Sequence, residues 1–275
     1  MRGRVAALLP VLVLAADVAT ARAAEIAREL LTGRVIVTGR EDPAERARGF
    51  REGLAEVLVK VSGDARLLDD GRLEPLLPRA GDFLAGFAYA DRHGRKINHE
   101  QGTRDRSYWL ETRFSEAAIA RALAEIGARP WMGERPKLLV LIGIDDSQRR
   151  YVVSGTSARG IGQREALLAI AARRALPVTL PEEGAAPDPA LLASAARGPD
   201  RAADAAIEAL VRKAGAGAVL RGFMRLGPEG YWDTDWRARH GATARERGFR
   251  SPRATFDRAI GEGLAGAARV MAGIE

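Results

Sequence analysis

Hydrophobic and polar positions alternate with two periods along this chain, and the two periods mark out its elements. Residues 35–38 (Val35-Ile36-Val37-Thr38) form a short apolar run that reads as a strand. Asp42-Pro43-Ala44-Glu45 then carries a helix start, with Asp42 as cap, Pro43 at the first helical position and Glu45 placed to close a capping box. Phe50, Leu54, Val57, Leu58 and Val61 follow at helical spacing and define a stripe that faces a core, and Gly63 ends the helix. Arg48 and Glu56 fall on the opposite, wet face, and Lys60 is expected to reach water from the edge of the stripe. Residues 69–81 read as a turn or short helix around Leu73, Leu76 and Leu77, and residues 83–90 and 108–114 as two strands. Polar residues 91–106 join those strands as a long loop. A helix capped by Ser115 then presents Ile119, Leu123 and Ile126 and stops at Gly127.

The second half repeats this style with a more buried signature. Residues 138–144 are almost continuously apolar, as in a parallel strand covered on both faces. Residues 163–175 read as a helix, 176–180 as a strand, and a further helix starts near Asp200 and ends at Gly215. Residues 218–226 return as a strand, with Ala218, Leu220, Met224 and Leu226 on one face and Arg221 and Arg225 on the other. Residues 231–239 and 242–249 predict a hairpin across His240-Gly241, and Ser251-Pro252 a final helix with a stripe of Phe256, Ile260, Leu264, Ala268 and Met271. Two prolines and a glycine in 129–136 mark a linker. The expectation is an α/β chain (α+β mixed sheets) of two small domains, with helices packed on mixed parallel and antiparallel sheets. Their limits are residues 24–128 for the N-terminal α/β domain, 129–136 for the linker and 137–275 for the C-terminal α/β domain.

Residues 1–23 change the picture. Arg2 and Arg4 precede a mostly apolar stretch over residues 5–18, and small residues around Ala21 and Ala23 offer a cleavage point after Ala23. Pro10 and Asp17 interrupt the run, which is short for a membrane span. The expected location is the periplasm, after cleavage. The alternative is an inner-membrane anchor formed by an uncleaved signal. Removing 23 residues leaves 252, enough for two cores. The chain has no cysteine, which excludes disulfides and thiolate metal sites within it.

Net charge is +7; the leader carries Arg2, Arg4 and Arg22 against Asp17, so the remainder carries +5. Most of the basic residues are arginine, a good phosphate ligand. Acidic residues are interspersed, which speaks against nucleic acid and leaves an anionic membrane surface as a partner to consider.

No stretch assembles a catalytic, cofactor or metal set. Asp145-Asp146 ends the apolar strand, where open α/β sheets place ligands. Paired carboxylates there suit a cation or, more simply, a turn. Gly160-Ile161-Gly162 precedes a helix but lacks the third glycine of a dinucleotide loop and the Gly-Lys-Ser/Thr of a phosphate loop. Lys60 and Ser62 stand two apart rather than at serine–lysine hydrolase spacing. His93 and His99 share the polar loop without a third ligand. Trp232 and Trp236 share one strand face, as a stacking pair or as one wall of a core. Asp233 and Asp235 point the other way, toward solvent or a base such as Arg221. Asp145, Asp146, Gly160, Gly162, Trp232 and Trp236 are therefore the candidate partner or ligand surface.

The segments Val57-Leu58-Val59-Lys60-Val61-Ser62-Gly63, Phe87-Ala88-Tyr89, Trp131…Arg135-Pro136-Lys137-Leu138-Leu139-Val140-Leu141, Leu176-Pro177-Val178-Thr179-Leu180-Pro181 and Trp232…Trp236 resemble, in order, the proteobacterial family called domain of unknown function 2066. The resemblance spans nearly all of the chain after the leader. That family has no assigned activity, so it implies no functional residue here. In the second domain a helix, then Ala214-Gly215-Ala216-Gly217-Ala218-Val219-Leu220-Arg221-Gly222, then antiparallel strands are similar, at the level of fold, to small envelope domains. These are the amino-terminal domain of the Tol-system propeller protein, the curli secretion pore and lipoprotein activators of peptidoglycan synthases. Such likeness implies docking to an envelope protein partner rather than catalysis. A carboxylate-dependent envelope hydrolase and an arginine-mediated membrane-surface binder are the alternatives.

Overall fold

The computed structural model describes residues 24–92 and 106–274. Residues 1–23, expected to form the leader, and the two histidines His93 and His99 lie outside the described residues. The fold is α/β with mixed sheets, and the chain divides into two compact units, residues 1–61 with 72–132 and residues 62–71 with 133–275. The break at Met132/Gly133 falls inside the expected linker. Residues 62–71, expected in the first domain, group with the second unit instead.

In the first unit a short helix α1 (residues 24–30) leads into strand β1 (Thr32–Thr38). Helix α2 (Pro43–Ser62), strands β2 (Leu84–Asp91) and β3 (Ser107–Phe114) and helix α3 (Glu116–Glu125) follow. The sheet order is β1-β3-β2, with both outer strands antiparallel to β3, so β1 and β2 run parallel on either side of it. Helix α2 starts as its sequence requires: Asp42 Oδ1 accepts the Ala44 N–H at 2.8 Å. Glu45 does not close the box onto that cap. Its carboxylate accepts the Thr38 N–H at 2.8 Å and pairs with Arg48 at 2.7 Å, because Arg48 one turn on is itself anchored to the Ile36 carbonyl.

The stripe Leu54, Val57, Leu58 and Val61 is buried, each such side chain contributing roughly 1.5–3 kcal/mol. Glu56 and Lys60 are not on a wet face. Lys60 is buried and donates to the Thr32 carbonyl at 2.7 Å and to Glu56 at 3.1 Å, and Glu56 also accepts the Arg34 N–H. Backbone meets backbone where α2 crosses the sheet. A Cβ on Gly33 would stand 2.8 Å from the Gly53 Cα, and one on Gly53 would overlap the Thr112 hydroxyl.

The second unit is a six-stranded sheet. Strand β4 (Leu138–Asp145) is followed by β5 (Arg150–Val152), helix α4 (Ile161–Arg173), β6 (Val178–Thr179), α5 (Pro189–Arg197) and α6 (Arg201–Ala214). Strands β7 (Ala218–Leu226), β8 (Trp232–His240) and β9 (Arg247–Ala254) and helix α7 (Phe256–Ala272) complete it. The order is β5-β4-β7-β8-β9 with β6 also paired to β4; β4 is parallel to β6 and β7, and the remaining pairs are antiparallel.

One face packs Leu139, Leu141, Val219 and Phe223 under Leu192 and Ala195 of α5 and Ala203 and Ile207 of α6. The other face packs under α7, against which α4 also lies. Ser251-Pro252 does not begin the last helix. Both residues sit in β9, an edge strand, where a missing N–H on the outer side costs nothing. Thr255 caps α7 instead, its hydroxyl accepting the Arg258 N–H.

Candidate functional site

At the carboxyl end of β4 the two predicted carboxylates build a turn. Asp145 holds Arg150 at 2.7 Å and accepts the Ser147 N–H at 3.2 Å. Asp146 Oδ1 accepts the N–H groups of Gln148 and Arg149 at 3.1 and 2.7 Å. Ser147 takes a positive φ of 74°, which the two carboxylates support from either side. Gly160 lies close by: its φ is +68°, and a Cβ there would stand 3.2 Å from the Tyr151 ring. Burial, and then the charge of Asp146, push the Tyr151 hydroxyl pKa up. Asp146 and Gly160 are therefore both neighbours of Tyr151, whereas Asp145, the residue after the one opposite Tyr151, turns to Arg150; Gly162 is exposed, and a Cβ added to it would meet nothing within 4 Å. The carboxylates already accept from amides and a guanidinium. Among the described residues no cluster of three or more His, Asp or Glu side chains suits a metal.

The tryptophan pair belongs to the core. Trp236 is 1 % exposed, seated where a Cβ on Gly222 would overlap its ring and one on Gly263 would come within 2.8 Å. Its Nε1–H donates to the buried Ser251 hydroxyl at 3.1 Å. Trp232 packs edge-to-face on Phe256 with ring centroids 5.8 Å apart. The expectation that this pair forms part of a ligand surface is thus corrected: both indoles are buried as the wall beneath α7. Asp235 pairs with Arg225 and Arg250, and Asp233 accepts the Arg253 N–H, so neither meets Arg221.

Arg221 is instead buried on the α5–α6 face. Its side chain is 4 % exposed and holds Asp204 of α6 at 2.7 Å and Glu246, from the β8–β9 turn, at 2.6 Å. Arg237 lies directly opposite on β8. It reaches the same Glu246 oxygen at 3.4 Å and donates to the carbonyls of Ala196 and Arg197, which end α5. Arg239 pairs with Glu208 beside them. The sequence carried a sign of this cluster: Arg221 stands between Val219 and Phe223 on the covered face of β7, and a charge in a buried row needs a partner.

The first unit presents a different surface. Helix α2 covers the sheet face bearing Val35, Val37 and Leu110. On the opposite face Ile36, Trp109 and Ala90 align across the three strands, and Arg34, Glu111 and Ala88 form the next row. Trp109 is 38 % exposed, and the Arg92 guanidinium stands 5.8 Å above its ring. Arg34 pairs with Glu111 at 3.2 Å, while Arg92 and Arg113 have no carboxylate partner among the described residues. Alternation alone put Trp109 and Glu111 on a separate face from Leu110, but not which of the two faces stays open.

Residues 24–132 match the model of a domain of unknown function (DUF8605). The match begins at the residue after the expected cleavage point and ends at the unit boundary. The model matched over these residues is not that of domain of unknown function 2066. No curated protein matches it.

Proposed function

We propose that the chain is an exported envelope protein that works by docking to a protein partner through the open sheet face of its first unit. The observation that carries this reading is the row Ile36–Trp109–Ala90, an apolar strip left uncovered beside two arginines without carboxylate partners among the described residues. A large exposed aromatic beside guanidinium groups is the composition of an interface centre. The fitting partner offers an apolar side chain to Trp109 and carboxylates to Arg92 and Arg113. Export is supported by the leader pattern and by a family match that starts at residue 24. The fold-level likeness of the second unit to envelope docking domains belongs to the same reading.

Two measurements test it. Fractionation with amino-terminal sequencing is expected to recover the chain from the periplasm, starting at Ala24. Capture from envelope extract is expected to return one recurrent protein with the native chain, weaker with Arg113→Glu and absent with Trp109→Glu. A cytosolic chain that keeps its initiator, or a captured set indifferent to Trp109, overturns the proposal.

A further inference from the structure

We infer that the Arg221–Arg237 cluster of the second unit is a binding site for a phosphate-type oxyanion, and that Glu246 fills it from a surface turn as an internal stand-in. This goes beyond the docking reading and does not depend on it. Arg221 and Arg237 face each other across β7 and β8, and like charges so placed repel unless an anion lies between them. Asp204 neutralises one of the two. The pair therefore calls for one more negative group, and the chain supplies it with a single oxygen, Glu246 Oε2, shared between Arg221 Nη2 at 2.6 Å and Arg237 Nη1 at 3.4 Å.

The fit is incomplete. Arg221 Nε–H is buried without an acceptor, so the Nε–Nη2 edge that normally grips two oxygens is half used. A phosphate presents separate oxygens to Arg221 Nε, Arg221 Nη2 and Arg237 Nη1, which one carboxylate oxygen cannot do. The occupant is also mounted to leave. Glu246 precedes β9, and residues 241–245 before it are exposed and outside any strand or helix. Glu246 also borders an open cavity of about 680 Å³, lined by Arg245 and Gly248 and, from α7, by Val270, so its carboxylate has room to swing out of the arginine pair.

The test uses the full chain, melted against inorganic phosphate at constant ionic strength. Removing an internal competitor raises apparent affinity by the inverse of the fraction of sites it left empty, so with Glu246 seated in at least about nine sites in ten, Glu246→Ala is expected to bind phosphate at least about tenfold tighter than the native chain. Adding Arg237→Gln to that variant is expected to abolish the gain. Equal affinities, or a gain that survives Arg237→Gln, overturn the inference. If Glu246→Ala does not fold, Glu246→Gln is titrated instead. A variant that is destabilised and not rescued by phosphate shows Glu246 to be purely structural and also overturns it. Vesicles of phosphatidylglycerol against phosphatidylcholine form a second arm. Binding of the Glu246→Ala variant to the former, competed by phosphate, identifies a lipid headgroup, and binding to inorganic phosphate alone identifies a soluble source; binding to neither refutes the site.

Discussion

Glu45 shows how one side chain ties a helix to a strand. The Arg48 guanidinium, and then the Thr38 amide, lower its pKa from the ordinary 4.5 to about 2. A carboxyl depressed in the fold stabilises it above its unfolded pKa and loses that stabilisation as pH falls through the folded value. Stability of the first unit is therefore expected to drop between about pH 4.5 and 2, and Glu45→Gln to be less stable at pH 7 while losing that part of the pH dependence. Urea melts at several pH values check both. The residue was visible in the sequence as a helix-start acid. Its actual partner was not, because the strand amide it accepts from is set by how α2 docks on the sheet. Arg221 repeats the point with opposite sign: alternation located it, but its burial depended on α5 and α6 covering that face.

At the scale of elements, capping signals and periodicity carried most of the fold. Asp42-Pro43 announced α2, and the apolar run 138–144 announced a parallel central strand. Asp188-Pro189 has the same signature and caps α5 through the Ala190 N–H at 2.7 Å, yet α5 is only nine residues long and its apolar stripe is correspondingly brief. Ser251-Pro252 looked like a third such start and proved to be edge strand, since proline suits both places. What no local pattern announces is close approach. Gly53 and Gly33 let α2 touch β1, with the Thr112 hydroxyl donating to the Gly33 carbonyl beside them. Gly53→Ala gains helix propensity of about 1 kcal/mol but overpacks this contact at a cost of about 1–3 kcal/mol, so net destabilisation is expected. Because the overlap is with the hydroxyl, the double variant with Thr112→Ala is expected to show a favourable coupling of at least about 0.5 kcal/mol in a double-mutant cycle of urea melts.

At the scale of the whole molecule, chain order and packing part company. Prolines led to an expected linker at 129–136, but residues 62–71 follow α2 in the chain and group with residues 133–275. Leu67 in this segment is fully buried, and Asp64 caps its short 3₁₀ turn while pairing with Arg66 at 2.8 Å. Leu67→Ala is accordingly expected to destabilise the second unit by about 2–5 kcal/mol. Hydrogen exchange reads it as faster exchange at β4 and β7, with β1 and β3 unchanged. The family match stops at Met132, so it takes in ten residues whose fold is completed elsewhere. A recombination event at that boundary would carry them to a host without their complement and leave the donor with a hole. Shuffling this domain through evolution, or grafting it in the laboratory, succeeds only if the excision also removes the 62–71 insert or brings along the body that receives it.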